Sequence, residues 1–240
     1  MNKESNTYTI IYASGMVILV ALLLAFTSQL LQKRQQQNEA IDKMRQILRS
    51  INIDIPKSQV KVTYEQLITD SFVIDSEGNQ VEGNAFEINL DNELTKPEAE
   101  RRFPVFIATI NGDRKYILAL RGAGLWGPMW GYISLKADRN TVYGADFEHA
   151  GETPGLGAEI NRPEFGRQFI GKRIFNNEGK FVSIAIVRLG RSAIGQDYVD
   201  GISGGTITSQ GVDAMLRTSI GAYNKFLTPT PKSPKGDLSE

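Results

Sequence analysis

The sequence predicts an α+β protein in which a single N-terminal transmembrane helix precedes a mostly antiparallel sheet with flanking helices. Three observations carry this prediction. Residues 10–31 form an uncharged apolar run, β-rich apolar segments separated by turn residues fill the middle of the chain, and an amphipathic segment precedes the carboxyl terminus. Hydrophobic residues make up 41% of the 240 positions, which excludes a largely disordered chain.

Residues 10–31 are predicted to cross a membrane, after a short N-terminal segment at 1–9. The 22 residues of the run carry no charge, and a helix of that length is about 33 Å long, enough for a hydrocarbon core of about 30 Å. A cleaved signal peptide and a buried helix of a soluble protein are the alternatives. A signal peptide usually has a shorter apolar centre, so an uncleaved anchor is favoured.

The charges beside the apolar run predict its orientation. Lys3 precedes the run, whereas five basic residues follow it: Lys33, Arg34, Lys43, Arg45 and Arg49. By the positive-inside rule, the large domain is expected to stay in the cytoplasm.

Three further parts are predicted after the span. Apolar residues at three- and four-residue spacing indicate a helical stalk over residues 32–56. One soluble domain is expected over residues 57–227. The last segment, 228–240, holds three of the nine prolines and no apolar pattern, so it is predicted to be disordered.

Two hairpins and a final helix are predicted within the domain. Asn111-Gly112 separates apolar segments at 103–110 and 115–120, and both residues accept the positive φ of a hairpin turn. A second pair of strands is expected at 131–135 and 141–147. Ser209 is the predicted cap of a helix whose apolar face is Val212, Met215, Leu216, Ile220, Tyr223 and Leu227.

The composition excludes several kinds of site. The chain has no cysteine and one histidine, His149, so disulfides, thiolate nucleophiles, Cys-ligated zinc and protein-ligated iron–sulfur clusters are ruled out. The formal net charge is zero, and no basic run suggests nucleic-acid binding. No metal site is expected.

Two glycine-rich stretches suggest a ligand site built from loops. Residues 121–131 hold both tryptophans among four glycines, which suits a planar aromatic ligand or a protein interface, although a tight turn with Trp in the core is the alternative. In residues 149–159, Pro154-Gly155 predicts a type II turn whose exposed backbone groups could bond a heterocycle. A structural role for the lone His149 is favoured over a catalytic one.

The third glycine-rich stretch, residues 200–209, suggests an anion site. Adjacent glycines and four hydroxyl side chains precede a helix start, where free N–H groups and the helix dipole favour a phosphate. An ordinary glycine turn is the alternative. Residues 200–209 contain neither a Walker loop nor a GxGxxG fingerprint. A triad of Ser203, His149 and Asp200 lacks the GxSxG elbow, so no catalytic residues are expected.

Taken together, the three stretches resemble one family over nearly the whole chain. RGAGLWGPMWGYISL, HAGETPGLGAEI and DGISGGTITSQGVDAML are similar to the NqrC component of the sodium-translocating NADH:quinone oxidoreductase. The third also resembles the flavinylation signature Asp-Gly-x-Ser/Thr-Gly-Ala-Thr, from which Gly205 departs by lacking one methyl group.

The resemblance implies a covalent flavin. In that family a flavin transferase joins FMN to the last Thr of the signature through a phosphoester, and that position here is Thr206. The implied FMN-binding residues are Asp200, Ser203, Gly204, Gly205 and Thr206 in the third stretch, Glu152, Thr153, Leu156 and Gly157 in the second, and Leu125 and Trp126 in the first.

The resemblance also implies a setting and partners. The chain would be one of six subunits of an oxidoreductase in the bacterial inner membrane, passing electrons from NADH-derived centres toward quinone while sodium is exported. Alone, it is not expected to be catalytic. The family places the flavin domain in the periplasm, against the charge bias, and we follow the family.

Two alternative functions remain open. The RnfG component of the ion-translocating ferredoxin:NAD oxidoreductase (Rnf) shares the anchor, an ETPGLG-like loop and the flavinylation signature. A flavin-free, membrane-anchored binding module would use the same glycines and hydroxyls structurally.

Overall fold

The computed structural model describes residues 6–228. The predicted tail, apart from residue 228, and residues 1–5 of the N-terminal segment lie outside this range. The helices are α1 (Asn6–Ser50), α2 (Val60–Leu67), α3 (Leu90–Thr95), α4 (Pro163–Arg167), α5 (Thr206–Ala222) and α6 (Asn224–Leu227). The strands are β1 (Ile68–Ile74), β2 (Gln80–Val81), β3 (Phe103–Ile110), β4 (Asp113–Ala123), β5 (Pro128–Leu135), β6 (Val142–His149), β7 (Ala185–Val187) and β8 (Tyr198–Asp200).

Within residues 6–228, an antiparallel sheet of six strands has the order β2-β1-β3-β4-β5-β6. The α+β prediction and both predicted hairpins are confirmed. Asn111 and Gly112 have φ of 52° and 84° between β3 and β4, as the hairpin turn requires.

Helix α1 contains the predicted span. Among the described residues it is the one helix long and apolar enough to cross a membrane, with a mean hydropathy of 2.4 in its most apolar stretch. It ends at Ser50, six residues before the predicted end of the stalk at 56. The pattern of contacts between residues divides the chain into two compact units, with the boundary after Lys43.

In the second unit, the last turns of α1 bond to the sheet. Gln46 accepts a hydrogen bond from Trp130 Nε1 at 3.1 Å, and the carbonyl of Ser50 accepts one from Ser134 Oγ at 2.6 Å. Arg49 pairs with Asp146 at 2.7 Å and with Glu148 at 3.2 Å. These contacts fix residues 46–50 to β5 and β6.

Helix α5 packs against β4 and forms the core that the sequence predicted. Its apolar face and Leu227 of α6 are at most 1% exposed. The buried Tyr223 hydroxyl donates to the carbonyls of Pro104 and Ala119 at 3.1 and 3.3 Å. Ser219 Oγ accepts from the Arg121 N–H and donates to its carbonyl, both at 3.0 Å. These hydrogen bonds therefore fix α5 relative to β4.

The predicted start of α5 is wrong. The helix begins at Thr206, with Gly205 as its N-cap, so Ser209 lies in the first turn. Ser209 is buried, and its Oγ accepts from the Ile202 N–H at 2.9 Å. The hydroxyl thus stabilises the preceding loop instead of capping the helix, and Thr206 becomes the first helical residue.

Candidate functional site

The three glycine-rich stretches converge on the buried carboxylate of Glu152. Glu152 lies three residues after β6 and is 4% exposed. Its Oε1 accepts from the Trp126 N–H at 2.9 Å, and its Oε2 accepts from Thr208 Oγ1 at 2.5 Å. One side chain thereby joins the β4–β5 loop, the loop after β6 and the first turn of α5.

Glu152 is held as a carboxylate. Burial would raise the pKa of its carboxyl group, but hydrogen bonds from Thr208, Trp126 and Leu125 outweigh burial and hold the pKa below its usual value. The Glu152 N–H donates to His149 Nδ1 at 3.1 Å, so His149 fixes the same turn. Both groups therefore act as hydrogen-bond acceptors that hold the turn and the neighbouring loops together.

Glycines permit the close approach of these loops. A Cβ at Gly124 would collide with the Glu152 carboxylate, and one at Gly157 would collide with the Thr208 hydroxyl. Gly155 has φ +74°, which the predicted Pro154-Gly155 turn requires. The second stretch is therefore shaped by its packing against Glu152 and α5.

The loop before α5 leaves the hydroxyl of the first helical residue exposed. Gly204 adopts φ +73°, and Thr206 follows as the exposed first residue of the helix. Thr208 and Ser209 are buried and hydrogen-bonded, whereas Ser203 and Thr206 are exposed and make no side-chain hydrogen bond within residues 6–228. Of the four hydroxyls, only these two are therefore free to react with a ligand from solvent.

Two cavities meet at Thr206 and Gly204. The leucine cavity, about 210 Å³, is lined by Leu125, Glu152, Thr153, Leu156, Gly157, Gly204, Gly205, Thr206, Ile207 and Thr208. The arginine cavity, about 310 Å³, is lined by Ile186, Val187, Arg188, Leu189, Gly201, Ile202, Ser203, Gly204, Thr206, Ser209 and Gln210. The exposed leucines of the first suit an apolar ring, and the second contains a cation.

Most predicted site residues line one or both cavities. The exceptions are Asp200 and Trp126. Asp200 lies in β8, where its N–H donates to Gln168 Oε1 at 2.9 Å. Trp126 contributes its N–H to Glu152 while its side chain is 68% exposed. The tight-turn alternative with Trp in the core is therefore wrong for Trp126.

The wall formed by β7 and the residues after it could not be predicted from the sequence. Strands β7 and β8 pair in parallel, with Val187 opposite Asp200. Carboxyl ends of parallel strands meet at one edge, so Arg188 and Leu189 come beside the loop before α5. Three-residue strands carry no periodicity that could have revealed this pairing.

The amino end of α5 can hold an anion. Its first turn has N–H groups of Thr206, Ile207 and Thr208 to which no acceptor within residues 6–228 bonds, and no side chain caps the helix. Such groups and the positive end of the helix dipole attract phosphate. No cluster of three metal-ligating side chains occurs in the described part of the chain.

A family model matches the part of the chain that contains these loops. The family described as FMN-binding domain matches residues 124–221. That range begins in the β4–β5 loop and ends in α5, so it includes all three segments that meet at Glu152 and every residue that lines the two cavities.

Relatives match nearly the whole chain. The C subunit of Na(+)-translocating NADH-quinone reductase from Haemophilus ducreyi is 31% identical, over 92% of this chain and 91% of its own length. The proteins of the same name from Vibrio vulnificus and Pseudomonas aeruginosa are each 30% identical, over 88% and 94% of this chain and 89% and 96% of their own lengths.

Solved structures agree with the fold. The crystal structure of the protein of that same name from Parabacteroides distasonis superposes with a TM-score of 0.80 at 53% identity, over 84% of this chain and 98% of the other. Shewanella oneidensis NqrC gives a TM-score of 0.66 at 20% identity, over 80% and 100% of the two chains, and supports the fold alone.

Proposed function

Since the chain belongs to the NqrC family, the C subunits of the Na(+)-translocating NADH-quinone reductase, we propose that it is an electron-carrier subunit of that complex, with FMN attached to Thr206. The observation that carries this proposal is the free, exposed hydroxyl of Thr206 at the uncapped start of α5, where both cavities meet. A phosphate on that hydroxyl would lie beside the unbonded N–H groups of the first turn.

The residues present fit FMN. Leu125 and Leu156 are 47% and 42% exposed at the rim of the leucine cavity, so their apolar faces are free to contact the flavin ring. Gly204 is exposed and leaves the backbone near Thr206 open to the phosphate, whereas Gly205 is buried beside Ile202 and Gly157. When bound, FMN supplies the capacity to accept and donate electrons.

Each protein group then has a positional role. Thr206 Oγ1 holds the phosphate, and Leu125 and Leu156 exclude water from one side of the ring. Glu152 holds the three loops together. An electron carrier needs no general base, and the hydrogen-bonded, ionised Glu152 offers none.

Covalent attachment is a condensation. A bond would form between Thr206 Oγ1 and the phosphorus of the flavin phosphate while another P–O bond of that phosphate breaks, and the leaving oxygen would take up the hydroxyl proton. The protein would therefore gain the mass of FMN less one water. A flavin transferase catalyses the attachment. The linkage prevents the flavin from dissociating between redox states.

In the proposed complex, the chain is a membrane-anchored subunit. α1 anchors the chain by a single crossing in a bacterial inner membrane, within an assembly of six subunits that oxidises NADH, reduces quinone and exports sodium. The apolar run carries no charged residue to bind sodium, so this chain alone is not expected to pump ions.

We place the flavin domain in the periplasm. Alkaline phosphatase fused to the carboxyl end tests this, because that enzyme folds to its active form only after export. An active fusion supports the periplasmic side, and an inactive fusion with an active cytoplasmic reporter at the same position refutes it.

The comparisons and one direct assay bear on the two alternative functions, RnfG and the flavin-free module. The relatives carry the name of the NADH-quinone reductase component, which favours it over RnfG. The FMN-binding match disfavours a flavin-free module. Protein made with the transferase, denatured and viewed in a gel under ultraviolet light, should show a fluorescent band, whereas a dark band would support the module.

A further inference from the structure

We propose that Arg188 binds the phosphate of the flavin that becomes joined to Thr206. By binding this phosphate, Arg188 also positions it for the attachment reaction. This inference rests on the proposed function and adds a residue to its site. Arg188 lies outside all three glycine-rich stretches and directly follows β7.

Arg188 is held beside the loop before α5 by pairing on two sides. The Gly201 N–H donates to the Val187 carbonyl at 2.7 Å, which extends the parallel register to the residue preceding Arg188. The Ile186 N–H donates to Asp213 Oδ1 at 2.9 Å. Asp213 lies two turns after Thr206 in α5, so this bond fixes β7 relative to the same helix that presents Thr206.

Arg188 is the charged residue of the arginine cavity. The other described lining residues are uncharged, and they include Ser203, Thr206 and Gln210. The Arg188 side chain forms no ion pair or hydrogen bond within residues 6–228, whereas Arg217, on α5, pairs with Asp213 at 2.8 Å. A free guanidinium thus lines the same cavity as the free hydroxyl.

A cation beside Thr206 would stabilise the negative charge of the phosphoester. The phosphate joined to Thr206 keeps one negative charge, and the first turn of α5 offers only partial positive charge. A guanidinium can donate two parallel hydrogen bonds to phosphate oxygens. Glu152, the carboxylate of the neighbouring leucine cavity, is occupied by Thr208 and Trp126, so it does not compete for Arg188.

Arg191 supplies a matched control. It lies three residues further along the same exposed loop and does not line either cavity. The full chain is made with the transferase as wild type, Arg188→Gln, Arg188→Lys and Arg191→Gln. Covalent loading is measured by gel fluorescence at limiting transferase, and the phosphodiester of the loaded protein by ³¹P NMR.

We expect Arg188→Gln to load about tenfold more slowly, because a charge-assisted hydrogen bond is lost. Its loaded fraction should show a shifted ³¹P resonance. Arg188→Lys should recover part of the loading, and Arg191→Gln should match wild type in both measurements.

Two results would overturn the role of Arg188 while leaving the flavin intact. One is equal loading and equal ³¹P resonances in the two glutamine variants. The other is slower loading of Arg188→Gln with an unchanged resonance, which would place Arg188 at the transferase interface. A wild-type chain without covalent flavin would instead refute the proposed function itself.

Discussion

The hydroxyl of Thr208 donates to Glu152 Oε2 at 2.5 Å across 56 residues of sequence, and both side chains are buried. The bond joins the loop after β6 to the first turn of α5, whose exposed first residue is Thr206. It also removes Thr208 from the hydroxyls available for modification.

Glu152→Ala should destabilise the domain. The buried Thr208 hydroxyl and the Trp126 N–H would lose their acceptor, at about 1–3 kcal/mol for each unsatisfied group. Chemical denaturation of the full chain in detergent measures the loss. Glu164→Ala is the control, since Glu164 pairs with Arg167 at 3.6 Å where both side chains are about two-thirds exposed, and it should change stability by less than about 0.5 kcal/mol. Equal effects of the two changes would contradict the role of Glu152.

Thr206→Val should abolish covalent flavin while the domain still folds. Valine keeps the shape of threonine and removes the attacking oxygen. Thr208→Val is the matched control: it should lower stability through Glu152 yet keep the fluorescent band in a denaturing gel. A band retained in Thr206→Val would indicate Ser203, the other exposed hydroxyl of the loop, as the attachment site.

Gly204→Val should block flavin loading. Gly204 has φ +73°, and a Cβ there would lie 2.6 Å from Leu156 Cδ2, so a side chain strains the backbone and displaces a wall of the leucine cavity. Gly171→Val separates the two causes, because Gly171 has φ +80° with nothing within 4 Å of an added Cβ. It should lower stability and leave loading unchanged. Normal loading of Gly204→Val would show that the backbone there does not approach the flavin.

Trp126→Ala should change the flavin midpoint potential more than the extent of loading. The bond from Trp126 to Glu152 uses the backbone N–H and survives the change, while the exposed ring is lost. Redox titration of the loaded protein measures the potential. Trp130→Phe, which alters the tryptophan bonded to Gln46, is the comparison. An unchanged potential in Trp126→Ala would place its ring away from the flavin.

Stability should fall as pH rises toward neutrality. Burial raises the pKa of Asp146 to about 7, although Arg49 opposes the shift and Glu148 adds to it. The folded state therefore holds a proton that the unfolded chain releases near the ordinary aspartate pKa of 3.8. This proton stabilises the fold fully below pH 3.8, and its contribution is lost as pH rises through 7.

The unfolding free energy should therefore drop by about 2–3 kcal/mol between about pH 5 and pH 8. Denaturation at several pH values measures this drop in wild type and in Asp146→Asn, which cannot titrate and should show a flatter profile. Parallel profiles of the two proteins would assign the pH dependence to another group.

Local sequence signals predicted much of the six-stranded architecture. The turn at Asn111-Gly112 and the apolar face of α5 are encoded by neighbouring residues, so they could be read without a structure. The start of α5 could not, because Ser209 has the chemistry of a cap but bonds the Ile202 N–H seven residues earlier. Its role depends on how the loop before α5 folds back.

The site was predicted on one side only. Glycine motifs predicted the loops around Glu152. The hydrogen bond between its carboxylate and Thr208 is a tertiary contact that no sequence motif predicts. Arg188 is brought to the site by the parallel pairing of β7 and β8. These two strands are too short to show a periodic pattern in the sequence. Asp200 and Trp126 belong to the recognised motifs but lie outside the cavity walls.

Intact-mass analysis of the full chain made in cells that contain the flavin transferase, followed by peptide mapping, tests the central claim most directly. We predict a mass increment equal to FMN less one water, located on the peptide that contains Thr206. A chain with the mass of its polypeptide alone, or an increment on a peptide without Thr206, would contradict it.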